Sequence, residues 1–378
     1  MPWPSGSDYQ TAVQNPKTAF QDKELQDCTV RPGAMGMPWV ASGNFASVFS
    51  LTHPSGQKFA ARVFNRQVTV QKDRYKAVSD HLGGIVFPFM VAFEFQEIGI
   101  QISGQWYPII KMGWVDGVQF GKAVEDNANN PDVLRYMAAQ LRGVNSGLEG
   151  NQMSHCDLQH GNIMVSPQGD MILVDYDDCF VPSLAGEKAI ALGMPNYQHP
   201  ARGANDFNEH IDHFSSLVIY MSLGALAADQ LLFNKHNNGD NIILKEADYK
   251  DMSAPAWLDL AHSPEQVVVE MTDIIRQTCQ DPVDKCPSLE EVIKQTGALP
   301  AGKRLAIQQP ITQPTTTATP PVRPQAPTTT TPTARPIAVL LQSQHNFGQV
   351  VEGTTTPDWN LEVRNDIRAN DDLIIQSV

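Results

Sequence analysis

The sequence predicts an α+β protein with two lobes, because a β-rich half precedes a helical half along the chain. Alternating or continuous apolar runs typical of strands stand at residues 48–51, 59–64, 91–95 and 107–112, and one helix is expected over 69–82. From residue 131 onward the spacing turns helical, with helices predicted over 133–148, 215–232, 265–279 and 288–296. A stretch rich in proline and threonine then separates this domain from a short C-terminal segment that is predicted to be all β.

Composition favours a folded protein and excludes two classes of partner. The 378 residues are 42% hydrophobic and 18% charged, which is typical of globular chains with room for about two domains. The net charge of −14 provides no broad positive field for nucleic-acid phosphates or anionic lipid. The longest apolar run, residues 216–228, is shorter than the ~20 residues that span a bilayer. We therefore expect no nucleic-acid partner and no membrane insertion.

The cysteines and the N-terminus indicate a cytoplasmic protein. Five cysteines, an odd number, are scattered without a CxxC pair or a zinc spacing, which favours reduced thiols. Residues 1–9 have neither the basic nor the apolar region of an export signal. Both observations lead us to expect a cytoplasmic location.

The C-terminal part divides into a spacer and a small β segment. Residues 307–336 contain ten threonines and eight prolines, a composition that cannot bury a core. We therefore assign residues 301–336 to an extended Thr/Pro-rich linker. Short runs typical of strands follow at 338–341, 349–351, 359–363 and 373–375. Residues 337–378 thus resemble a partial immunoglobulin-like β module, shorter than the ~100 residues of a complete sandwich, which we expect to bind a protein partner.

The strongest signal is a polar loop followed by a predicted hairpin that ends in acidic residues. The loop HCDLQHGN, the two apolar runs and the acidic end DYD occupy residues 155–162, 163–165, 171–174 and 175–177. The hairpin would bring Asp175 beside Asp157 and Asn162. Magnesium takes hard oxygen ligands, and phosphoryl transfer requires neutralisation of the triphosphate charge. Asn162 and Asp175 are therefore candidate metal ligands, and Asp157 is the candidate base that orients an attacking hydroxyl.

This pattern resembles the protein-kinase superfamily, whose catalytic loop is written H-R-D-L-x-x-x-N and whose metal-binding aspartate begins D-F-G. The resemblance covers residues 36–297 and is similar to a bacterial branch of eukaryotic-like kinases. It implies a bilobal protein-kinase-like fold with ATP and Mg²⁺ as cofactors. The implied divisions are an N-terminal extension at 1–35 and a kinase-like domain at 36–300, with a β-rich N-lobe at 36–117 and a helical C-lobe at 118–300.

Upstream, residues 41–48 resemble the glycine-rich phosphate loop G-x-G-x-x-G-x-V, of which only the middle glycine is present. Arg62 stands where the family has the phosphate-binding lysine of V-A-I-K; it keeps the charge but presents a planar fork. The family pairs this cation with a glutamate on the next helix, where this chain has only Asp73 and Asp80 as acids. The resemblance implies nucleotide contacts from Gly43, Asn44, Phe45, Val48, Ala60 and Arg62.

Residues 107–117 resemble the strand and hinge that hold adenine through backbone hydrogen bonds. The implied contacts are Met112 as gatekeeper, Gly113, Trp114 and Val115. Taken without the downstream loop, the same residues would be an edge strand followed by a turn. Gln159 stands where protein kinases usually have a lysine that neutralises the γ-phosphate, so it is also a cofactor-binding candidate.

Two further segments resemble the family with substitutions. Residues 196–201 resemble the end of an activation segment, with Ala201 in place of the glutamate of A-P-E and Cys286 in place of its arginine partner. Asp212 begins a very apolar helix and could either cap it or accept hydrogen bonds from the catalytic-loop backbone. Cys156 replaces the arginine that reads a phosphorylated activation loop, so we expect a constitutive enzyme or one governed by a partner.

Three functions remain open on these residues. The first is a serine/threonine protein kinase, which acts on a protein substrate or signalling partner. The second is a nucleotide-binding pseudokinase or scaffold, favoured by Arg62, the missing helix glutamate and Gln159, because each change weakens the stabilisation of transition-state charge. The third is a small-molecule kinase of the aminoglycoside or choline type, whose loops are similar to residues 160–162 and 175–178.

Overall fold

A computed structural model of the chain describes residues 3–43, 45–67, 71–85, 87–304, 338–340 and 363–365. The chain divides into two compact units, Met1–Ile311 and Thr312–Val378. The larger unit combines an antiparallel sheet with a set of helices, which confirms the predicted α+β class. Among the described residues, no helix has both the length and the apolar character needed to cross a membrane.

The first half of the larger unit is built on a six-stranded antiparallel sheet. Its elements in chain order are α1 (Gly6–Ala12), α2 (Pro16–Ala19), α3 (Lys23–Gln26), β1 (Thr29–Val30), β2 (Val40–Ser42), β3 (Ala46–Thr52), β4 (Lys58–Phe64), α4 (Lys72–Leu82), β5 (Phe93–Ile102) and β6 (Gln105–Gly113). The strand order is β1–β3–β4–β6–β5, and β2 pairs with the same edge of β3 as β1. The predicted strands at 48–51, 59–64 and 107–112 lie within β3, β4 and β6.

The fourth predicted strand, at residues 91–95, differs from the observed one in both position and length. Strand β5 begins at Phe93 and continues to Ile102. A register shift against β6 between Gln96 and Ile100 interrupts the regular alternation of side chains. This irregularity hid the second half of the strand from a search for period-two patterns.

The second half is mostly helical. Its elements are β7 (Val118–Gln119), α5 (Phe120–Asp126), α6 (Pro131–Gly150), β8 (Ile163–Val165), β9 (Met171–Leu173), α7 (His213–Ala228), α8 (Leu231–His236), α9 (Glu246–Lys250), α10 (Pro255–Ala261), α11 (Gln266–Thr278) and α12 (Leu289–Thr296). Strands β7, β8 and β9 form a small antiparallel sheet beside the helices. Every residue of α7 from His213 to Leu226 is buried, as expected for a helix that is apolar on all sides.

One predicted helix, over residues 215–232, is wrong in its extent. Helix α7 ends at Ala228, because Asp229 adopts an extended conformation with φ −146° and ψ 100°. The carboxylate of Asp229 then accepts a hydrogen bond from the backbone N–H of Leu231 at 2.9 Å. An aspartate that bonds the backbone two residues on favours a turn over a continued helix, and α8 starts as a separate element.

The N-terminal segment packs closely on the sheet. Tyr9, Phe20 and Leu25, from α1, the end of α2 and α3, are almost fully buried beside Phe49 and Ile100 of the sheet. A second and larger core lies between α4, the helices of the second half and the β8–β9 hairpin. Residues before position 35, predicted only as an extension, therefore pack against one face of the sheet and bury it.

In the smaller unit, two strands are described, β10 (Ala338–Leu340) and β11 (Val363–Asn365). They pair antiparallel, with Val339 opposite Arg364. Strand β10 falls within the predicted strand at 338–341, whereas β11 shares only Val363 with the predicted strand at 359–363, whose other residues are not described. The linker from residue 305 onward and the predicted strands at 349–351 and 373–375 lie outside the described residues.

Candidate functional site

A cleft of about 680 Å³ opens between the sheet and the β8–β9 hairpin. It collects side chains from segments that are far apart in the sequence. The sheet side and the hairpin side contribute, among others, Gly43, Phe45, Val48, Arg62, Met112, Trp114, Asn162, Met164, Val174 and Asp175. Eight of these ten belong to the residues predicted to bind a nucleotide or a metal. The predicted contact Asn44 lies outside the described residues.

Other predicted residues lie around this cleft rather than on its lining. Ala60 is buried in β4 opposite Met112. The backbone N–H groups of Gly113 and Trp114 donate to the carbonyl oxygens of Ala92 and Lys58, at 3.2 and 3.1 Å. Val115 follows directly and is half-buried. Both hinge donors before Val115 are thus engaged within the protein.

Gln159 and Asp157 face the loop that carries them. The side-chain oxygen of Gln159 accepts a hydrogen bond from the N–H of Gly161 at 2.6 Å. Asp157 receives the amide of Asn162, whose Nδ2 lies 2.9 Å from both the carbonyl oxygen and Oδ2 of Asp157. The predicted base and one predicted metal ligand are therefore directly bonded.

The hairpin brings Asp175 to the same place. Ile163 pairs with Leu173, and the N–H of Val174 donates to the carbonyl oxygen of Asn162 at 2.9 Å. Asp175, the next residue, has φ 65°, a left-handed conformation that non-glycine residues rarely adopt. Such backbone strain persists where surrounding contacts fix it, and it is frequent at functional sites.

Buried Asp212 supports the candidate catalytic loop, residues 155–162, through hydrogen bonds to its backbone. One of its carboxylate oxygens, Oδ2, accepts from the N–H of His155, and Oδ1 accepts from the N–H of Cys156 at 2.9 Å. It makes no side-chain capping bond at the start of α7. The sequence left two roles open for Asp212, helix capping and hydrogen bonding to the loop backbone. The structure shows the second role. The Nε2 atom of His155 contacts the carbonyl oxygen of Val174 at 2.9 Å, which joins the loop to the end of the hairpin.

Arg62 bridges two carboxylates. Its Nη1 lies 2.6 Å from Oδ1 of Asp175, and its Nη2 contacts Oδ2 of Asp177. The two acids of α4 that the sequence offered as partners, Asp73 and Asp80, are exposed to solvent. The partner comes instead from the acidic end of the hairpin, 115 residues away in sequence. The only sequence signal for it was the second acid of the DYD triplet.

Burial governs the charges around Arg62. It raises the pKa of Asp177 to about 6, against the opposing effect of Arg62. Burial, with repulsion from Asp157 and Asp175, also raises the pKa of Asp178. The neighbouring carboxylates in turn hold the pKa of Arg62 above its ordinary value even though burial opposes this, so the guanidinium stays charged.

The raised pKa of Asp177 predicts a pH-dependent stability. Between the ordinary value of 3.8 and about 6, the folded state binds more protons than the unfolded state. The free energy of unfolding should therefore fall as the pH rises through this window. We expect Asp177→Asn to flatten that slope in magnesium-free urea unfolding, while Asp80→Asn on the exposed face of α4 keeps it. A slope in Asp177→Asn equal to that of the wild type would contradict the burial argument.

A segment after the hairpin closes over Asp157. The backbone N–H of Met194 donates to Oδ1 of Asp157 at 2.7 Å. Gly193, with φ 71°, lies so close that a Cβ there would stand 2.8 Å from the same oxygen. The segment thus bonds one carboxylate oxygen of Asp157, and Asn162 bonds the other.

Arg202 is a neighbour of the catalytic loop that the sequence did not indicate. Its guanidinium is buried, and Nη1 donates to the carbonyl oxygen of Cys156 at 2.7 Å and to the side chain of Gln198. Cys156 stands where the family has an arginine, so a cation reaches this loop from a later segment instead. No local pattern marks position 202, because the contact depends on how the segment folds back.

The side chains of Asn162 and Asp175 offer the oxygen atoms that magnesium prefers as ligands. The amide nitrogen of Asn162 is used by Asp157, which leaves its oxygen for the cleft, and the side chain of Asp175 is about half exposed there. Among the described residues, no group of three or more His, Cys, Asp or Glu side chains could hold a metal alone. Magnesium is commonly held by one or two carboxylates together with substrate phosphates, and Asp175 is a carboxylate that lines this cleft.

The described cleft therefore offers a cation and two oxygen-bearing side chains, and Asp157 is bonded to one of them, Asn162. Neither the protein-family models nor the curated proteins searched for relatives contain a match to this chain. Any assignment of function depends on these contacts and on the sequence motifs that supply them.

Proposed function

We propose that this chain is a protein serine/threonine kinase with a protein-kinase-like fold, which uses Mg²⁺ and ATP to phosphorylate a protein hydroxyl. The observation that carries the proposal is the convergence of Arg62, Asn162 and Asp175 on one cleft, with Asp157 bonded to Asn162. Phosphoryl transfer depends mainly on positioning and on electrostatic stabilisation, and these are the groups that it requires. The proposal places the protein in the cytoplasm, where both cofactors are available.

Different residues along the cleft would contact the adenine, the phosphates, the magnesium ion and the acceptor hydroxyl. Adenine would lie beside Met112 and take a hydrogen bond from the N–H of Val115, since the preceding two N–H groups are engaged. The loop around Gly43 and the guanidinium of Arg62 would hold the phosphates. Asn162 and Asp175 would hold magnesium, which neutralises phosphate charge when bound. Asp157 would orient the acceptor hydroxyl and take its proton.

A protein acceptor is favoured by the surface next to Asp157. The segment over this residue exposes Ile190 and Leu192, whose relative exposures are 46% and 42%. Apolar side chains at the entrance to a site are suited to contact with another protein. Residues 196–201 and the support from Asp212 add to the likeness with protein kinases rather than small-molecule kinases.

A second function, a nucleotide-binding pseudokinase, is favoured by one specific arrangement. The fork of Arg62 is occupied by Asp175 and Asp177, and Gln159 is turned to its own loop. A guanidinium held by two carboxylates and an inward glutamine would stabilise less charge on the transferred phosphate. Such a pseudokinase would bind the nucleotide but transfer little phosphate.

The test combines ATP binding with phosphate transfer. We expect the wild type to bind ATP more tightly with Mg²⁺, by calorimetry, and to transfer γ-phosphate from labelled ATP to serine or threonine of a protein mixture. Asp157→Ala should keep the binding and lose transfer by about 10²–10⁴-fold, which is the usual contribution of a general base. Asp73→Ala, on the exposed face of α4, is the control.

The other outcomes separate the alternatives. Binding without transfer in the wild type would favour the pseudokinase. Transfer only to choline or amino sugars would favour the small-molecule kinase. Absence of magnesium-dependent ATP binding would refute all three functions together.

A further inference from the structure

Asn65 makes three hydrogen bonds to the segment that resembles a phosphate loop. Its Nδ2 donates to the carbonyl oxygen of Gly43 at 2.8 Å, and its Oδ1 accepts from the hydroxyl of Ser47 at 3.0 Å. Its backbone N–H donates to the carbonyl oxygen of Phe45 at 2.9 Å. One residue thus contacts three alternate positions of the hairpin formed by β2, its turn and the start of β3, whose residues 41–48 we call the 41–48 loop.

Strand pairing already holds both arms of the 41–48 loop, since Ser42 pairs with Ser47 and Val48 pairs with Arg62 of β4. The N–H of Gly43 donates to the carbonyl oxygen of Ala46 at 2.9 Å, and the hydroxyls of Ser42 and Ser47 lie 3.3 Å apart. Only one of the three glycines of the phosphate-loop pattern is present. The contacts of Asn65 therefore act mainly on the turn at Gly43 and Phe45, which the strand pairs do not include.

Asn65 itself is firmly anchored. It directly follows Phe64, whose side chain is almost fully buried at the end of β4. The carbonyl oxygen of Phe64 accepts hydrogen bonds from the indole of Trp3 at 2.5 Å and the phenol of Tyr9 at 3.0 Å. The same strand carries Arg62, three residues earlier. Asn65 thus links the loop to a rigid strand, to the N-terminal segment and to the cation of the cleft.

We propose that Asn65 is a positioning residue, which holds the 41–48 loop at a fixed distance from Arg62 so that both contact the phosphates of one nucleotide. The inference rests on the proposed function, because it assigns the loop to phosphate binding. An asparagine suits the role since its amide is at once a donor to Gly43 and an acceptor from Ser47. Its effect is confined to ligands that reach the loop.

The binding test uses two ligands that differ in their phosphates. In calorimetry with the full chain, Asn65→Ala should weaken Mg²⁺–ATP by about tenfold, the effect of losing one or two hydrogen bonds. Adenosine, which has no phosphate, should bind equally to the variant and the wild type. Gln67→Ala is the matched control, because Gln67 is an exposed side chain two residues further along the same turn.

A double-mutant cycle sharpens the assignment. Ser47→Ala removes the hydroxyl that donates to the side chain of Asn65. The effect of Ser47→Ala on ATP binding should therefore be largely lost when Asn65→Ala is already present. Additive effects of the two changes would overturn the proposed link. Equal losses of ATP and adenosine in Asn65→Ala would also overturn it, since a general loss of structure affects both ligands.

Hydrogen exchange gives a readout that does not need a nucleotide. In Asn65→Ala the amides of Gly43 and Phe45 in the 41–48 loop should exchange about tenfold faster, while those of buried α7 keep the wild-type rate and report an intact fold. Unchanged exchange in the loop would refute the role of Asn65 even if ATP binds. If the wild type binds no ATP, the proposed function and the phosphate-positioning role are both refuted. Faster exchange in Asn65→Ala would then still show that Asn65 holds the loop.

Discussion

Asp175→Asn is expected to remove the magnesium dependence of ATP binding and to lower phosphate transfer by roughly 10³-fold, equivalent to several kcal/mol of lost charge stabilisation. Asp175 is the only carboxylate among the described residues that line the cleft, and about half of its side chain is exposed. The neutral amide has the same shape but attracts a divalent cation far less. Arg62 retains its ion pair with Asp177, so the variant should remain folded.

Calorimetry with and without Mg²⁺ measures the first effect, and transfer of labelled phosphate measures the second. Asp73→Asn makes the same chemical change on the exposed face of α4, and it should leave both quantities unchanged. If Asp175→Asn bound ATP with the same magnesium dependence as the wild type, Asp175 would not be a metal ligand. The assignment of the cleft to a magnesium nucleotide would then fail.

Asp212→Asn is expected to destabilise the fold by roughly 3–5 kcal/mol, because it removes one hydrogen bond to a charged acceptor, about 1.5–3 kcal/mol, and leaves a buried N–H without an acceptor, about 1–3 kcal/mol. Both carboxylate oxygens of Asp212 accept from backbone N–H groups, those of His155 and Cys156. The site is buried, and the NH2 group of an asparagine would face one of these backbone N–H groups without accepting a hydrogen bond from it. The loop that carries Asp157 would lose its support, so transfer should fall as well.

Urea unfolding measures this change through a lower midpoint with an unchanged slope. Asp251→Asn is the matched control, because Asp251 also accepts from a backbone N–H, that of Ser253 at 2.9 Å, but lies exposed at the surface. Surface substitutions of this kind usually change stability by less than about 0.5 kcal/mol. Equal stability of the two variants would show that the bonds of Asp212 do not support the loop.

Elements with strong local periodicity were predictable from the sequence. The run at 163–165 forms β8 with the expected limits, and the predicted helices at 265–279 and 288–296 correspond to α11 and α12 within one residue at each end. The helices α1 to α3 were missed, because elements of four to seven residues contain too few turns to show a period. Their burial against the sheet, rather than their own propensity, supports them.

The catalytic-loop candidates were predictable because short chain distances fix them. Asp157 and Asn162 lie on one loop, and a tight hairpin brings Asp175 back to the same loop, so local turn chemistry is sufficient to place them together. The partner of Arg62 was not predictable in this way. The helix that follows Arg62 in sequence offered Asp73 and Asp80, yet packing placed Asp177 against it instead.

The sequence by itself determined the α+β class, the apolar runs that form β3 and β4, and the loop and hairpin that carry three candidate catalytic residues. Only the tertiary structure decided which carboxylates meet Arg62, which residue holds the 41–48 loop, and which segment closes over Asp157. The physical reason is distance along the chain. Periodicity and turn residues act over a few positions, whereas a buried ion pair such as Arg62–Asp177 forms only where distant elements pack and exclude water.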